Sequence, residues 1–113
     1  EFPRLHFAGQ ITGVEGYTES AAMGLYVASQ ILRKINGDSV NVFPKETAIG
    51  ALVNYIFTME KPRPSNINFG LLPPVALNKE QRRNRKMRKK IKKQLAAEKA
   101  REVFDSFYEG KNL

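Results

Sequence analysis

Three glycines, Gly9, Gly13 and Gly16, stand within eight residues in the stretch "FAGQITGVEGYTESAAMGL", between a short apolar run and a run of small side chains at helical spacing. Glycine reaches left-handed dihedrals at little cost and leaves no Cβ in the way of an approaching group. A glycine turn that feeds a helix also directs backbone N–H groups and the positive end of a helix dipole outward, so an electron-rich ligand suits it. The same pattern serves a tight turn packed on the Ala-rich helix face, and the residues alone leave both uses open. Other candidate chemistry is sparse. No cysteine occurs, which removes disulfides, thiolate metal sites and a thiol nucleophile, and no metal-binding cluster is expected. His6 has no acid or nucleophile beside it in sequence, and Glu15 and Glu19 suit capping and the helix dipole better than acid–base work.

A second candidate is electrostatic. Between Lys79 and Arg101 there are twelve Lys or Arg against two acids, Glu80 and Glu98, a net of +10, so within the total of +8 the rest of the chain is net −2. That concentration is the footprint of a surface for phosphates or an acidic partner, set against the plain alternative of a solvated helix face. The segment "NKEQRRNRKMRKKIKKQ" has no interleaved aromatic, so it is suited to tracking a phosphate backbone rather than to reading bases.

The elements that must carry these groups follow from periodicity. "LHFAG" is expected to be a short buried strand leading into the glycines. From about Thr18 to Asn36 a helix is expected, its buried face formed by Ala21, Ala22, Gly24, Leu25, Ala28, Leu32 and Ile35. A shorter helix is expected over Thr47 to Met59, with Thr47 as cap and Pro44 outside it. "KPRPSN" interrupts regular structure, and "INFGLLPP" is an extended segment closed by prolines. From Asn78 to Gly110 one long helix is expected, with a stripe of Met87, Ile91 and Leu95 and another of Ala96, Ala100, Val103 and Phe107. Its second half is expected to dock and its basic first half to project. No run of about 18 apolar residues or signal pattern occurs, so no membrane association is expected and a cytoplasmic location is.

The string Phe7 to Leu25 resembles the C-terminal flavin-contacting segment of the folate- and FAD-dependent tRNA uracil-5-methyltransferases, and more loosely the related glucose-inhibited-division-protein family. "VFPKETAIGALVNYI" and "NINFGLLPP" look like the methyltransferases too, the second of them setting these apart from the relative. The resemblance covers about residues 3 to 77. It implies an α/β fragment: the end of a Rossmann-like FAD-binding domain over residues 1–77, then a basic helical tail over residues 78–113. It further implies an enzyme that takes a one-carbon unit from 5,10-methylenetetrahydrofolate to C5 of a uridine in tRNA, or in ribosomal RNA, with NAD(P)H as reductant through FAD.

By the same resemblance, cofactor contacts fall to Gly9, Gln10, Thr12, Gly13, Val14, Glu15, Gly16 and Tyr17, while Asn66 and Asn68 are candidates for folate or base. RNA contacts are expected from Arg82, Arg83, Arg85, Lys86, Lys89 and Lys90. The family's N-terminal GxGxxG and its cysteines are missing, so the chain is expected to be the C-terminal quarter of such an enzyme, inactive alone and partnered by the remainder of the same polypeptide. The rival readings are a wobble-uridine-modifying relative and a non-enzymatic RNA-binding module.

Overall fold

A computed structural model describes residues 2–110. A 3-10 turn, Gly9–Thr12, leads to α1, Tyr17–Ile35; α2, Ala48–Thr58, follows, then a short α3, Lys79–Arg83, and the long α4, Arg88–Glu109. The helical content and the extended run before α3 agree with the sequence. The strand does not form. Leu5 and Phe7 belong to no strand and are both exposed, the Leu5 N–H donating to the Phe2 carbonyl at 3.0 Å, and no named strand occurs among the described residues. A strand needs a neighbour to take its N–H and C=O groups, and the single parallel bridge joins Val14 to Ser65 instead. There the Glu15 N–H donates to the Ser65 carbonyl at 2.8 Å and the Ser65 N–H to the Gly13 carbonyl at 2.9 Å.

α1 departs from expectation in its orientation. Ala21, Leu25, Ala28, Leu32 and Ile35 form one stripe at 100° per residue, and every one of them is exposed, Leu25 to 76% and Ile35 to 75%. The buried side is the opposite one, with Met23 in the core and Tyr26, Val27 and Gln30 half-buried. The helix is apolar on two faces, and the described chain covers only one. Gln30 clamps the following segment, its Oε1 accepting from the Asn41 N–H at 2.8 Å and its Nε2 donating to the Asn41 carbonyl at 3.1 Å.

α2 starts where its cap dictates. The Thr47 hydroxyl accepts from the Gly50 N–H at 3.1 Å and donates to the Pro44 carbonyl at 2.7 Å. A Cβ on Gly50 would collide with the Pro44 carbonyl and lie 2.6 Å from that of Phe43, so only glycine lets the incoming chain lie against the helix. Val14, Met23, Leu52 and Val53 make the core, with Val14 wholly buried. That core is small, and the radius of gyration of 16.3 Å exceeds the roughly 13 Å of a compact chain this long.

The expected single helix from Asn78 is two helices. Asn78 opens α3 with a capping box, its Oδ1 accepting from the Gln81 N–H at 2.8 Å while its own N–H donates to Gln81 Oε1 at 3.0 Å. Asn84 then leaves helical dihedrals, and its Oδ1 accepts from the Met87 N–H at 3.2 Å. A short polar side chain that competes for backbone donors thus breaks the helix eleven residues before Leu95, where the two apolar stripes part. Ile91, Leu95, Ala96, Ala100, Val103 and Phe107 are all half-buried. Phe43 sits against Phe107 at 5.0 Å, Phe104 at 6.1 Å and Tyr26 at 5.3 Å between centroids, each pair edge-on, which ties α4 to α1. Burial in this cluster raises the Tyr26 phenol above its ordinary pKa.

Candidate cofactor and nucleic-acid surfaces

The glycine turn is built by its backbone. Gly9, Gly13 and Gly16 all take positive φ, of 75°, 92° and 91°, where a side chain is strained. Thr12 Oγ1 donates to the Gly9 carbonyl at 2.6 Å and the Gly13 N–H to that of Gln10 at 3.0 Å, so Thr12 and Gly13 hold the turn itself. With the Glu15 N–H given to Ser65, two of the N–H groups between positions 13 and 16 are spent inside the chain. The start of α1 has no side-chain cap hydrogen bond, though the Glu19 carboxylate of its first turn lies beside Gly16. Gly16 is its N-cap and supplies no side-chain cap, whereas Thr47 and Asn78 cap the starts of α2 and α3. First-turn N–H groups left without a cap favour negative charge.

Beside that start, Gln10, Val14, Gly16, Tyr17 and Ser20 line a depression of about 170 Å³. Small-molecule sites commonly span about 300–1,000 Å³, so this is a wall for the edge of a flat ligand rather than an enclosing pocket. Nothing lies within 4 Å of the place a Cβ would take on Gly13, and the equivalent place on Gly16 is filled by the movable Glu19 carboxylate. Tyr17, 99% exposed, stands free at the rim. These features make an open edge of backbone rather than an enclosed pocket.

Asn66 and Asn68 do not converge on that depression. Asn68 Oδ1 accepts from the Gly70 N–H at 2.9 Å and its Nδ2 donates to the Asn66 carbonyl at 3.2 Å, so the Asn68 side chain fastens its own turn.

The basic segment is built by side chains. Arg82 and Arg83 lie on α3, Arg85 and Lys86 in the break, and Lys89 and Lys90 on α4, all exposed. The ion pairs among the described residues lie further on, Lys99 with Glu102 and Arg101 with Asp105, leaving the cations from Lys79 to Lys93 without a carboxylate partner. One aromatic that sequence reading missed adjoins them. Lys93 Nζ lies 5.3 Å from the Phe69 ring centroid. Phe69 precedes Lys93 by twenty-four residues, and no local spacing signals the contact.

No metal-binding group of acidic or histidine side chains occurs among the described residues, and none of the described helices is long and apolar enough to cross a membrane.

Comparison with known proteins bears on what these surfaces serve. The family described as glucose inhibited division protein A matches residues 1–39. A methylenetetrahydrofolate--tRNA-(uracil-5-)-methyltransferase TrmFO of Natranaerobius thermophilus is 46% identical over 98% of this chain and 24% of its own length. The protein of that name from Oleidesulfovibrio alaskensis is 44% identical over 94% of the chain and 22% of its own, and that from Thermotoga neapolitana 50% identical over 74% and 20%. The chain therefore spans about a quarter of the length of these curated relatives. The kinship read from the glycine string and "NINFGLLPP" holds, and it extends into the basic tail.

Proposed function

From a chain that is a segment of the TrmFO and glucose-inhibited-division-protein A kind, we propose one wall of the flavin site in an FAD-dependent tRNA (uracil-5-)-methyltransferase. FAD, when bound, carries reducing equivalents from NAD(P)H to the one-carbon unit of 5,10-methylenetetrahydrofolate, which goes to C5 of the uridine. The role of this chain is to seat and polarise. Gly9, Gln10 and Thr12 shape the turn; Gly16 and Tyr17 offer the contact surface, with Val14 buried behind them as its support; the start of α1, whose N-cap residue has no side chain, favours negative charge developing on the ring edge. Glu15 flanks that surface, and its N–H braces the turn on Ser65. Residues 1–77 act as the end of a Rossmann-like FAD domain, whose missing layers cover the exposed apolar stripe of α1. Residues 78–113 act as a tail in which Arg82, Arg83, Arg85, Lys86, Lys89 and Lys90 meet the phosphates of tRNA, in the cytoplasm.

The observation that carries this reading is the set of three left-handed glycines at the mouth of a helix without a cap. In the full polypeptide, Gly16→Val is expected to abolish flavin binding. The β-branched side chain is strained at a φ of 91° and occupies the space beside the depression. Gly24→Ala, where nothing lies within 4 Å of the added Cβ, serves as control and is expected to keep its flavin. Flavin absorbance retained by Gly16→Val through gel filtration overturns the proposal. A wobble-uridine-modifying relative is the lesser reading, because "NINFGLLPP" sides with the methyltransferases.

A further inference from the structure

The basic tail carries no aromatic of its own between Lys79 and Lys93, yet the fold brings one to it. Ile67 and Leu71 pack against the core, and Phe69 between them is 46% exposed and meets Lys93. The turn that presents it is fastened twice, by Asn68 Oδ1 on the Gly70 N–H and by the Leu71 N–H on the Asn68 carbonyl at 3.1 Å. Phe69 is thus a ring held outward on a braced turn, and the core does not use it.

Two depressions adjoin there. One, about 130 Å³, is lined by Phe69, Val75, Lys92 and Lys93 among others. The next, about 280 Å³, shares Val75 and Lys92 and adds Arg82 from α3 and Arg88 from α4. Because the helix breaks at Asn84, cations from two separate helices converge on one hollow. No carboxylate lines either hollow. The third hollow along the same helix, bordered by Glu46, Glu98 and Glu102, turns acidic and marks where the track ends.

We infer that this surface holds an unpaired stretch of RNA, with a base stacked on Phe69 and neighbouring phosphates held by Arg82, Arg88 and Lys92. The inference rests on the RNA-binding reading above and makes it more specific. Stacking on an aromatic accepts any base, and a groove of unpaired cations tracks the backbone, which is how single strands are held without sequence preference. A duplex offers no free base face, so the ring adds nothing to its binding.

The test compares a short oligouridylate with duplex RNA of equal length on the full polypeptide, across a salt series. Phe69→Leu keeps an apolar side chain at this half-exposed position and removes the π face; it is expected to weaken oligouridylate binding about ten-fold or more. Phe69→Trp is expected to restore it, with the salt slope and duplex affinity unchanged in both. Arg82→Gln with Arg88→Gln is expected to lower the single-strand slope by about 1.4, roughly 0.7 for each phosphate contact. Undiminished oligouridylate binding by Phe69→Leu, with a steep slope in the parent, overturns the stacking inference and leaves RNA binding standing. A parent protein without salt-dependent RNA affinity overturns both.

Discussion

The glycine turn and the basic helices both face outward, but one is prepared by backbone and the other by side chains. Around Gly9 to Gly16 the conformation is fixed by backbone hydrogen bonds and left-handed dihedrals, and the shape of the depression follows from that backbone. From Arg82 to Lys93 the working groups are the ends of long, exposed side chains with no partner carboxylate. A backbone-built surface tolerates no intermediate substitution, whereas a charge-built one fails by degrees and is screened by salt. The two regions should therefore break in different ways.

The largest effect is expected at Gly16, where Val costs about 1–3 kcal/mol of strain and removes flavin altogether; flavin stoichiometry after gel filtration measures it. Expressed alone, the 113-residue chain is for the same reason expected to hold no flavin, since a wall of about 170 Å³ cannot retain it. Next in size is Gly50→Ala. Its methyl group would enter the Pro44 carbonyl, and overpacking of that kind costs about 1–3 kcal/mol, readable as a lowered Tm. Replacing Arg82, Arg83, Lys89 and Lys90 with Gln should act in steps, each lost phosphate contact flattening the log K against log salt plot by about 0.7–0.9. A single all-or-none loss there would erase the contrast between the regions. The smallest effect is expected at Asn84→Ala, which removes one hydrogen bond of about 1 kcal/mol, from the Met87 N–H to Oδ1, and lets α3 and α4 join, seen as a gain in helical circular dichroism.

What was legible in the sequence was local. Thr47 and Pro44 set the start of α2 to within a residue, because a cap acts over three positions. The end expected for α1 at Asn36 likewise falls within a residue of Ile35, where the helix stops. The strand expected over Leu5 to Gly9 does not form, because apolar alternation says nothing of a neighbour and no segment among the described residues pairs with it. Periodicity found the apolar stripe of α1 but assigned it to the interior; with apolar residues on both sides, spacing alone cannot say which side the short chain covers. At Asn84 composition suggested continuity, and only the Met87 N–H shows that the side chain competes successfully. Of the candidate site, the glycines announced their own dihedrals. The meeting of Phe69 with Lys93 depends on how "INFGLLPP" lies along α4, which no local rule supplies.

Gly50 has a reach beyond its own helix. By letting the Phe43–Pro44 backbone press against α2, it sets where the Phe43 ring stands, and that ring is the pivot against which Phe104 and Phe107 rest. From Phe107 back to Arg88 the helix runs about 28 Å at 1.5 Å per residue. A tilt of about 10° at the pivot would swing the Arg88 end by roughly 5 Å, nearly one helical turn. The missing methyl of one glycine thus bears on how the far helix α4 is seated, although that residue carries no charge and lies outside α4.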